Sequence, residues 1–235
     1  MVFELDGILQ TNLKAIAKMI GEADVKFDKQ GIHIYEQSPE THFFLMFDYA
    51  VQKFNKEELF CIDMRKISNI LKLLKNSDYI EVDTDSESRI KFSVTNEGKP
   101  KEMSIPKMMP KETHLPDGLD SLEFGIAFQI DKNELAEILK DVSNFGDTAW
   151  FISSNGKMTI TSGDEPASYK ATIDAKFSKK GNGKSKYYME YIGKIAELDF
   201  PKLNIEMDEN YVMRITGKGE KYSFVFIIAP RVMDG

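Results

Sequence analysis

One order of elements is written twice along this chain of 235 residues, and it limits what the chain can fold into. Each round holds, in order, a helix, a hairpin, strands, a second helix and a second hairpin. In residues 8–23 (ILQTNLKAIAKMIGEA), Leu9, Leu13, Ile16 and Ile20 fall on one helical stripe with Lys14 and Lys18 opposite. Residues 24–28 and 31–35 read as a hairpin around Lys29-Gln30-Gly31, and residues 41–49 and 58–62 as strands. Asp63 is predicted to cap a second helix over 63–77, with Ile67, Ile70, Leu71 and Leu74 inward, before a hairpin over 79–83 and 89–95. The second round opens with a strand at 123–130. Asp131 then caps a helix over 132–145, with Leu135, Ile138, Leu139 and Val142 inward and Gly146 as its terminator. A hairpin on Asn155-Gly156 follows, then a strand at 168–177, a helix at 185–198, a hairpin over 202–207 and 211–216, and a closing strand at 221–229.

Helices that alternate with antiparallel hairpins, not with single parallel strands, disfavour a Rossmann or TIM arrangement. The expectation is an α+β fold: two similar domains of antiparallel sheets with helices on one face. Between the rounds, residues 98–122 hold four of the eight prolines (Pro100, Pro106, Pro110, Pro116), so neither a helix nor a central strand fits there, leaving at most a strand at 101–105. Met103, Ile105, Met108, Met109, Leu115, Leu119 and Leu122 recur in the same stretch. Apolar groups in an extended linker pin it to something or leave a surface for a partner. The domains are expected at 1–107 and 123–235, joined by a connector at 108–122.

A hydrophobic share of 42% is enough for two packed cores. The lone cysteine, Cys61, excludes a disulfide framework and a multi-thiolate metal site; it fits a reducing, intracellular setting and is expected to pack in a strand. No signal peptide is expected, and no stretch nears the about 18 apolar residues of a membrane span, so no membrane partner is expected.

The formal net charge is −7, which taken whole argues against nucleic acid. Its distribution argues otherwise. Residues 8–23, 63–77, 132–145 and 184–198 together carry eleven basic and seven acidic side chains, so four predicted helices sum to +4 within an acidic protein. Lysine is a good helix former on solvated faces. Helices sharing one face would also present those lysines to an anionic surface.

Catalytic motifs are weak. SKKGNGKS (178–185) approaches a phosphate-cradling loop but has Ser178 where the first glycine belongs. Asp83, Asp85 and Glu87 lack the glycine and distal glutamate of a calcium loop. His33, His42 and His114 are scattered, and Trp150, alternating with Ile152, reads as core. No nucleophile, base and metal set assembles, so no enzyme, cofactor or metal is expected.

The ending FVFIIAPRV (224–232) resembles that of the archaeal and eukaryotic DNA sliding clamps, the proliferating cell nuclear antigen family. Residues 23–34 followed by Gln37-Ser38-Pro39 are similar to that family's first hairpin and turn. ISNIL (67–71) with Lys72, VSNFGD (142–147), and Tyr188-Met189 with Lys194 resemble its helix signatures. The resemblance covers essentially the whole chain. It implies a two-domain subunit joined head to tail as a trimer, a pseudo-sixfold ring of twelve helices. Twelve helices about 10 Å across set their axes on a circle of about 38 Å and leave about 28 Å inside, wide enough for duplex DNA.

By the same resemblance Lys14, Lys18, Lys66, Lys72, Lys140 and Lys194 face the DNA, with Glu137 weakening the third helix's share. The outside is expected to be acidic. Gln37, Met108, Leu115, Leu119, Leu122, Ile228, Ala229 and Pro230 form the groove for a partner's short hydrophobic motif, Gln37 replacing the family's usual Met. Met103, Ile105, Leu73, Leu74, Val142, Phe145, Ala171 and Ile173 form the subunit interface. The implied function is a processivity factor that encircles duplex DNA regardless of sequence. The implied partners are DNA polymerase, a clamp loader (replication factor C), flap endonuclease and DNA ligase. A heterotrimeric or checkpoint-type ring subunit is the alternative, and a phosphate-loop nucleotide enzyme stands far behind both. The setting would be the cytoplasm and nucleoid, or the nucleus in a eukaryote.

Overall fold

A computed structural model describes residues 2–38, 42–51, 54, 56–73, 79–96, 99–111, 118–164, 167–173 and 175–231. Its first repeat runs β1 (Val2–Glu4), α1 (Gly7–Met19), β2 (Glu22–Asp28), β3 (Gly31–Gln37), β4 (Phe43–Tyr49), β5 (Glu58–Asp63), α2 (Met64–Lys72), β6 (Tyr79–Asp83), β7 (Arg89–Asn96) and β8 (Lys99–Pro106). The second runs β9 (Ile126–Asp131), α3 (Lys132–Val142), β10 (Thr148–Ser154), β11 (Lys157–Asp164), β12 (Ala167–Ile173), β13 (Lys176–Lys180), β14 (Gly183–Tyr188), α4 (Met189–Ile195), β15 (Lys202–Met207), β16 (Met213–Lys218) and β17 (Tyr222–Ile228).

The duplication holds at the level of strand pairing. The first repeat has β1-β6-β7-β8, and the second has the counterpart β9-β15-β16-β17 with β13 added beyond β9. The order β5-β2-β3-β4 is matched by β14-β10-β11-β12. In each repeat the two helices pack on each other, α1 on α2 and α3 on α4. The chain divides into two compact units: Met1–Glu36 with Met46–Thr113, and Gln37–Leu45 with His114–Gly235. The second unit thus takes in the start of β4, beside β17. There Ala229 N donates to His42 O at 2.8 Å, and the Phe43 ring lies 5.4 Å from Phe226 and 5.0 Å from Tyr191.

Alternation sets the cores. In the first unit Leu9 and Leu13 from α1 and Ile67 from α2 meet Val25, Phe27, Ile34 and Phe92 from the strands, and Ile16 is fully buried as well. In the second, Leu135, Leu139, Ile192 and Ile195 are buried with Phe151, Ile160 and Tyr187. Aspartates start three of the helices. Asp6 Oδ1 accepts from Leu9 N at 2.9 Å, Asp63 from Arg65 N at 3.0 Å and Asp131 from Asn133 N at 2.8 Å, each satisfying an amide that has no helical partner. The Asn155-Gly156 turn has both residues left-handed, φ 53° and 70°, as a tight hairpin requires.

Several boundaries differ from expectation. The first helix stops at Met19: Ile20 is already extended (φ −131°, ψ 144°), and residues 22–23 join β2, where pairing with β5 outweighs the helical period. The third ends at Val142, and Gly146 is not the left-handed terminator, since its φ is not positive. The expected strand at 168–177 is two strands: β12 pairs with β11, and β13 pairs with β9. The expected helix at 185–198 is strand β14 followed by a helix of only seven residues, because 183–188 pair along β10. The second helix runs to Lys72, and 74–78 lie outside the described residues, as do Pro39, His114, Glu165 and Pro166. Trp150 and Ile152 are half-buried on the face opposite Ala149 and Phe151, which form the core there. Prolines 100 and 106 sit in β8, tolerated because β8 is the edge of its sheet.

Candidate nucleic-acid interface

The helices carry the candidate DNA-facing cations. α1 has Lys14 and Lys18, and α2 has Arg65, Lys66 and Lys72, with no carboxylate in either helix. α3 sets Lys132 and Lys140 against Glu134, Glu137 and Asp141, and α4 sets Lys194 against Glu190. The helical surplus is therefore concentrated in the first pair, and the acidic side chains of α3 outnumber its lysines, in line with the weaker share expected there. Lys184 and Lys186, counted as helical in the sequence, belong to β14. Lys18, Lys66, Lys72 and Lys140 are exposed, while Lys14 and Lys194 are half-buried. Lys18, Lys72, Lys140 and Lys194 each lie in the last turn of their helix, where a cation also offsets the carbonyl end of the dipole. These positions therefore stabilise the helix whether or not an anion is present.

The connector is pinned to the first unit by contacts that the sequence did not reveal. Cys61 and Met108 exchange both backbone hydrogen bonds, at 3.0 and 2.9 Å. Lys107 Nζ donates to Thr84 O at 2.7 Å, pairs with Glu58 at 3.3 Å and sits 4.8 Å over the Phe60 ring. Lys111 N donates to Asp24 Oδ1 at 2.9 Å, and its Nζ pairs with Glu36 at 3.1 Å. Burial raises the Glu36 carboxyl, with Lys111 opposing. Burial disfavours the charged Lys111, yet Glu36 outweighs it and holds that pKa up. Burial also pushes the Cys61 thiol up to about 11, so it is no thiolate nucleophile. Only the lysines flanking Met108-Met109-Pro110 hinted at such clasps, and their acidic partners lie far off in sequence.

The expected groove residues fall in several places. Met108 is half-buried and Met109 beside it is 89% exposed. Leu119 lies in a short 3-10 turn (Leu119–Ser121), its carbonyl accepting from Arg214 Nη1 at 3.3 Å. Gln37, Leu122, Ala229 and Pro230 are half-buried, and Ile228 is buried. Leu115 lies outside the described residues.

The expected interface segments are edges: β8 closes one sheet and β12 another. Ile105, Val142 and Ile173 are buried within their own unit, so their side chains support the edge from behind. Met103 and Ala171 are half-buried, Leu73 is 69% exposed, and Leu74 lies outside the described residues. Phe145 is 40% exposed and packs 5.7 Å from Tyr169 of β12.

Ser185 is buried on a strand, and its hydroxyl donates to Asp208 O at 2.7 Å, so no helix N-terminus stands behind SKKGNGKS to cradle a phosphate. Among the described residues no three His, Cys, Asp or Glu gather as a metal site, and no helix is long and apolar enough to cross a membrane.

No family model matches the chain. The DNA polymerase sliding clamp of Archaeoglobus fulgidus is 21% identical over 96% of this chain and 95% of its own length. That of Nanoarchaeum equitans is 25% identical over 84% of this chain and 80% of its own. In the structure of the C-terminal region of FEN-1 bound to A. fulgidus PCNA, the matching chain has a TM-score of 0.86 at 20% identity, covering 100% of this chain and 99% of that one. The PCNA2–PCNA3 complex of Sulfolobus tokodaii gives 0.88 at 17% identity, covering 98% and 99%. This chain carries the DNA clamp fold, and over almost its whole length it is similar to the archaeal DNA polymerase sliding clamps, members of the proliferating cell nuclear antigen family.

Proposed function

We propose that this chain is a sliding clamp, a non-catalytic ring that encircles duplex DNA as a trimer and tethers DNA polymerase and other replication and repair proteins. One observation supports the ring. β17 is the counterpart of β8, β4 is the counterpart of β12, and β17 and β4 are neighbours. The same rule, applied between copies, pairs β8 of one chain with β12 of the next. Unpaired strand edges invite partners, and closure removes them. Met103, Ala171, Leu73 and Phe145 lie at that junction, with Ile105, Val142 and Ile173 behind it.

Lys14, Lys18, Lys66, Lys72, Lys140 and Lys194 then line the hole and meet phosphates without reading bases. The connector at 108–122 joins domains at 1–107 and 123–235. With Gln37, Ile228, Ala229 and Pro230 it takes short hydrophobic motifs of flap endonuclease, polymerase, ligase and clamp loader. The FEN-1 segment on the A. fulgidus relative supports the flap endonuclease among these. The likeness to a PCNA2–PCNA3 complex favours a second reading, a ring of unlike subunits.

Light scattering after size exclusion tests both. A trimer of this chain alone supports the homotrimer, and a stable monomer supports the mixed ring. Replacing Lys14, Lys72 and Lys194 together with Ala should leave the ring mass unchanged and lower retention on circular DNA by about tenfold or more. Unchanged retention on an intact ring removes the channel assignment. Pro230→Glu should weaken binding of partner peptides in a titration, and undiminished binding places the groove elsewhere.

A further inference from the structure

The sheet β12-β11-β10-β14 has a second face, turned away from α3 and α4. On its inner side Tyr169 reaches α3, where its hydroxyl donates to Asp141 Oδ2 at 3.3 Å. Strand alternation sends the even-numbered residues of β12, β10 and β14 and the odd-numbered residues of β11 to the opposite side. The register there aligns Lys170, Thr161, Trp150 and Lys186 in one row, and Thr172, Thr159, Ile152 and Lys184 in the next. Lys184 and Lys186 Nζ lie 5.4 and 5.7 Å from the centre of the Trp150 ring. At the end of β14, Arg231 N donates to Lys186 O at 2.7 Å and its guanidinium lies 5.4 Å over Tyr188.

Among the described residues, no carboxylate pairs with Lys170, Lys184, Lys186 or Arg231. The counterpart face of the first repeat differs: Asp28 and Asp48 stand there among Lys26 and His33. So a chain of net charge −7 gathers around its single tryptophan cations that have no carboxylate partner among the described residues, on a face the helices do not use. The acidic exterior expected from the sequence does not extend to this face.

We propose that this face binds single-stranded nucleic acid, apart from any duplex held by the helices. A basic sheet face with half-buried aromatic rings still partly open to solvent suits a strand whose bases are free to stack while its phosphates meet cations. Lys184 and Lys186 are two residues apart on one strand, about 6.6 Å, and Lys170 is three strands from Lys186, about 14 Å, so the patch spans a few nucleotides. An acidic peptide would satisfy the lysines but give the Trp150 and Tyr188 rings no role, and duplex DNA hides its base faces.

Trp150, the chain's only tryptophan, reports on the site directly. An oligo(dT) of about 16 nucleotides, titrated into the full chain at about 50 mM salt, should quench its fluorescence. The logarithm of the affinity should fall with log salt at a slope near −3, as four released phosphate counterions predict. Lys184→Glu with Lys186→Glu should lower the affinity at least tenfold by anisotropy of labelled oligo(dT), with circular dichroism unchanged. The Lys14→Ala, Lys72→Ala, Lys194→Ala chain should be quenched as the parent is, which separates this site from the channel. No quenching, equal quenching by polyglutamate or by the annealed duplex, or loss of quenching in the channel variant would each overturn the proposal.

Discussion

His33 is held between two carboxylates, its Nδ1 2.6 Å from Asp48 and its Nε2 3.0 Å from Asp28. The Asp48 contact, aided by Asp28 and opposed by burial, raises its pKa above the usual 6.5. Burial opposes ionisation of Asp28, but the Gln30 amide, His33 and Lys26 overcome it and hold that carboxyl at about 2. The signs follow. The His33 contribution to stability is complete below the unfolded value and is lost as pH rises through the raised one. The Asp28 contribution is present above 3.8 and is lost as pH falls toward about 2. His33→Gln should therefore cost about 1 kcal/mol in denaturant unfolding near pH 5.5 and much less near pH 9. A cost independent of pH would contradict the paired imidazolium. Gly31 is a sharper constraint: its φ is +146°, and an added Cβ would stand 2.1 Å from Tyr49 O. Gly31→Ala should destabilise the chain by about 2 kcal/mol or more, read as a lower urea midpoint.

At the level of elements, the helix starts were legible because their cause is local. Asp63 and Asp131 stand beside apolar stripes, and their side chains cap as expected. Asp131→Ala should cost about 1 kcal/mol by the same unfolding measurement. The Asn155-Gly156 turn was legible for the same reason. What misled was pairing at a distance. Residues 183–188 carry Lys184, Ser185 and Lys186, compatible with a helix start, yet they extend because β10 offers them a full ladder. That change of partner moves two lysines off the helices. The short β1 exists through its pairing with β6, which no local pattern announces. Asp6 was missed as a cap, although an aspartate just before an apolar stripe was a usable signal; it also accepts a hydrogen bond from the Tyr49 hydroxyl. The candidate site divides in the same way. Lysines on helices could be read from the sequence, whereas the clasps of Lys107 and Lys111 join residues from 23 to 87 positions apart and could not.

At the level of the whole molecule, two repeats with matched pairing leave β8 and β12 as edges. If copies join there, exposed Phe145 beside Tyr169 is an anchor at the seam. Phe145→Glu should reduce the mass seen by light scattering to that of one chain while leaving circular dichroism nearly unchanged, since the ring lies at the sheet edge beside Tyr169 and not in the core. A multimer of unchanged mass would place the seam elsewhere.

The clasps at Lys107 and Lys111 bracket Met108, Met109 and Pro110, leaving the Met109 side chain outermost. A visiting peptide would thus find that part of the strap already rigid, and little of its binding energy would go into ordering the host. Cutting one tether, as in Lys111→Ala, should weaken capture mainly by restoring freedom to the strap, with faster amide exchange at Met109 as the sign.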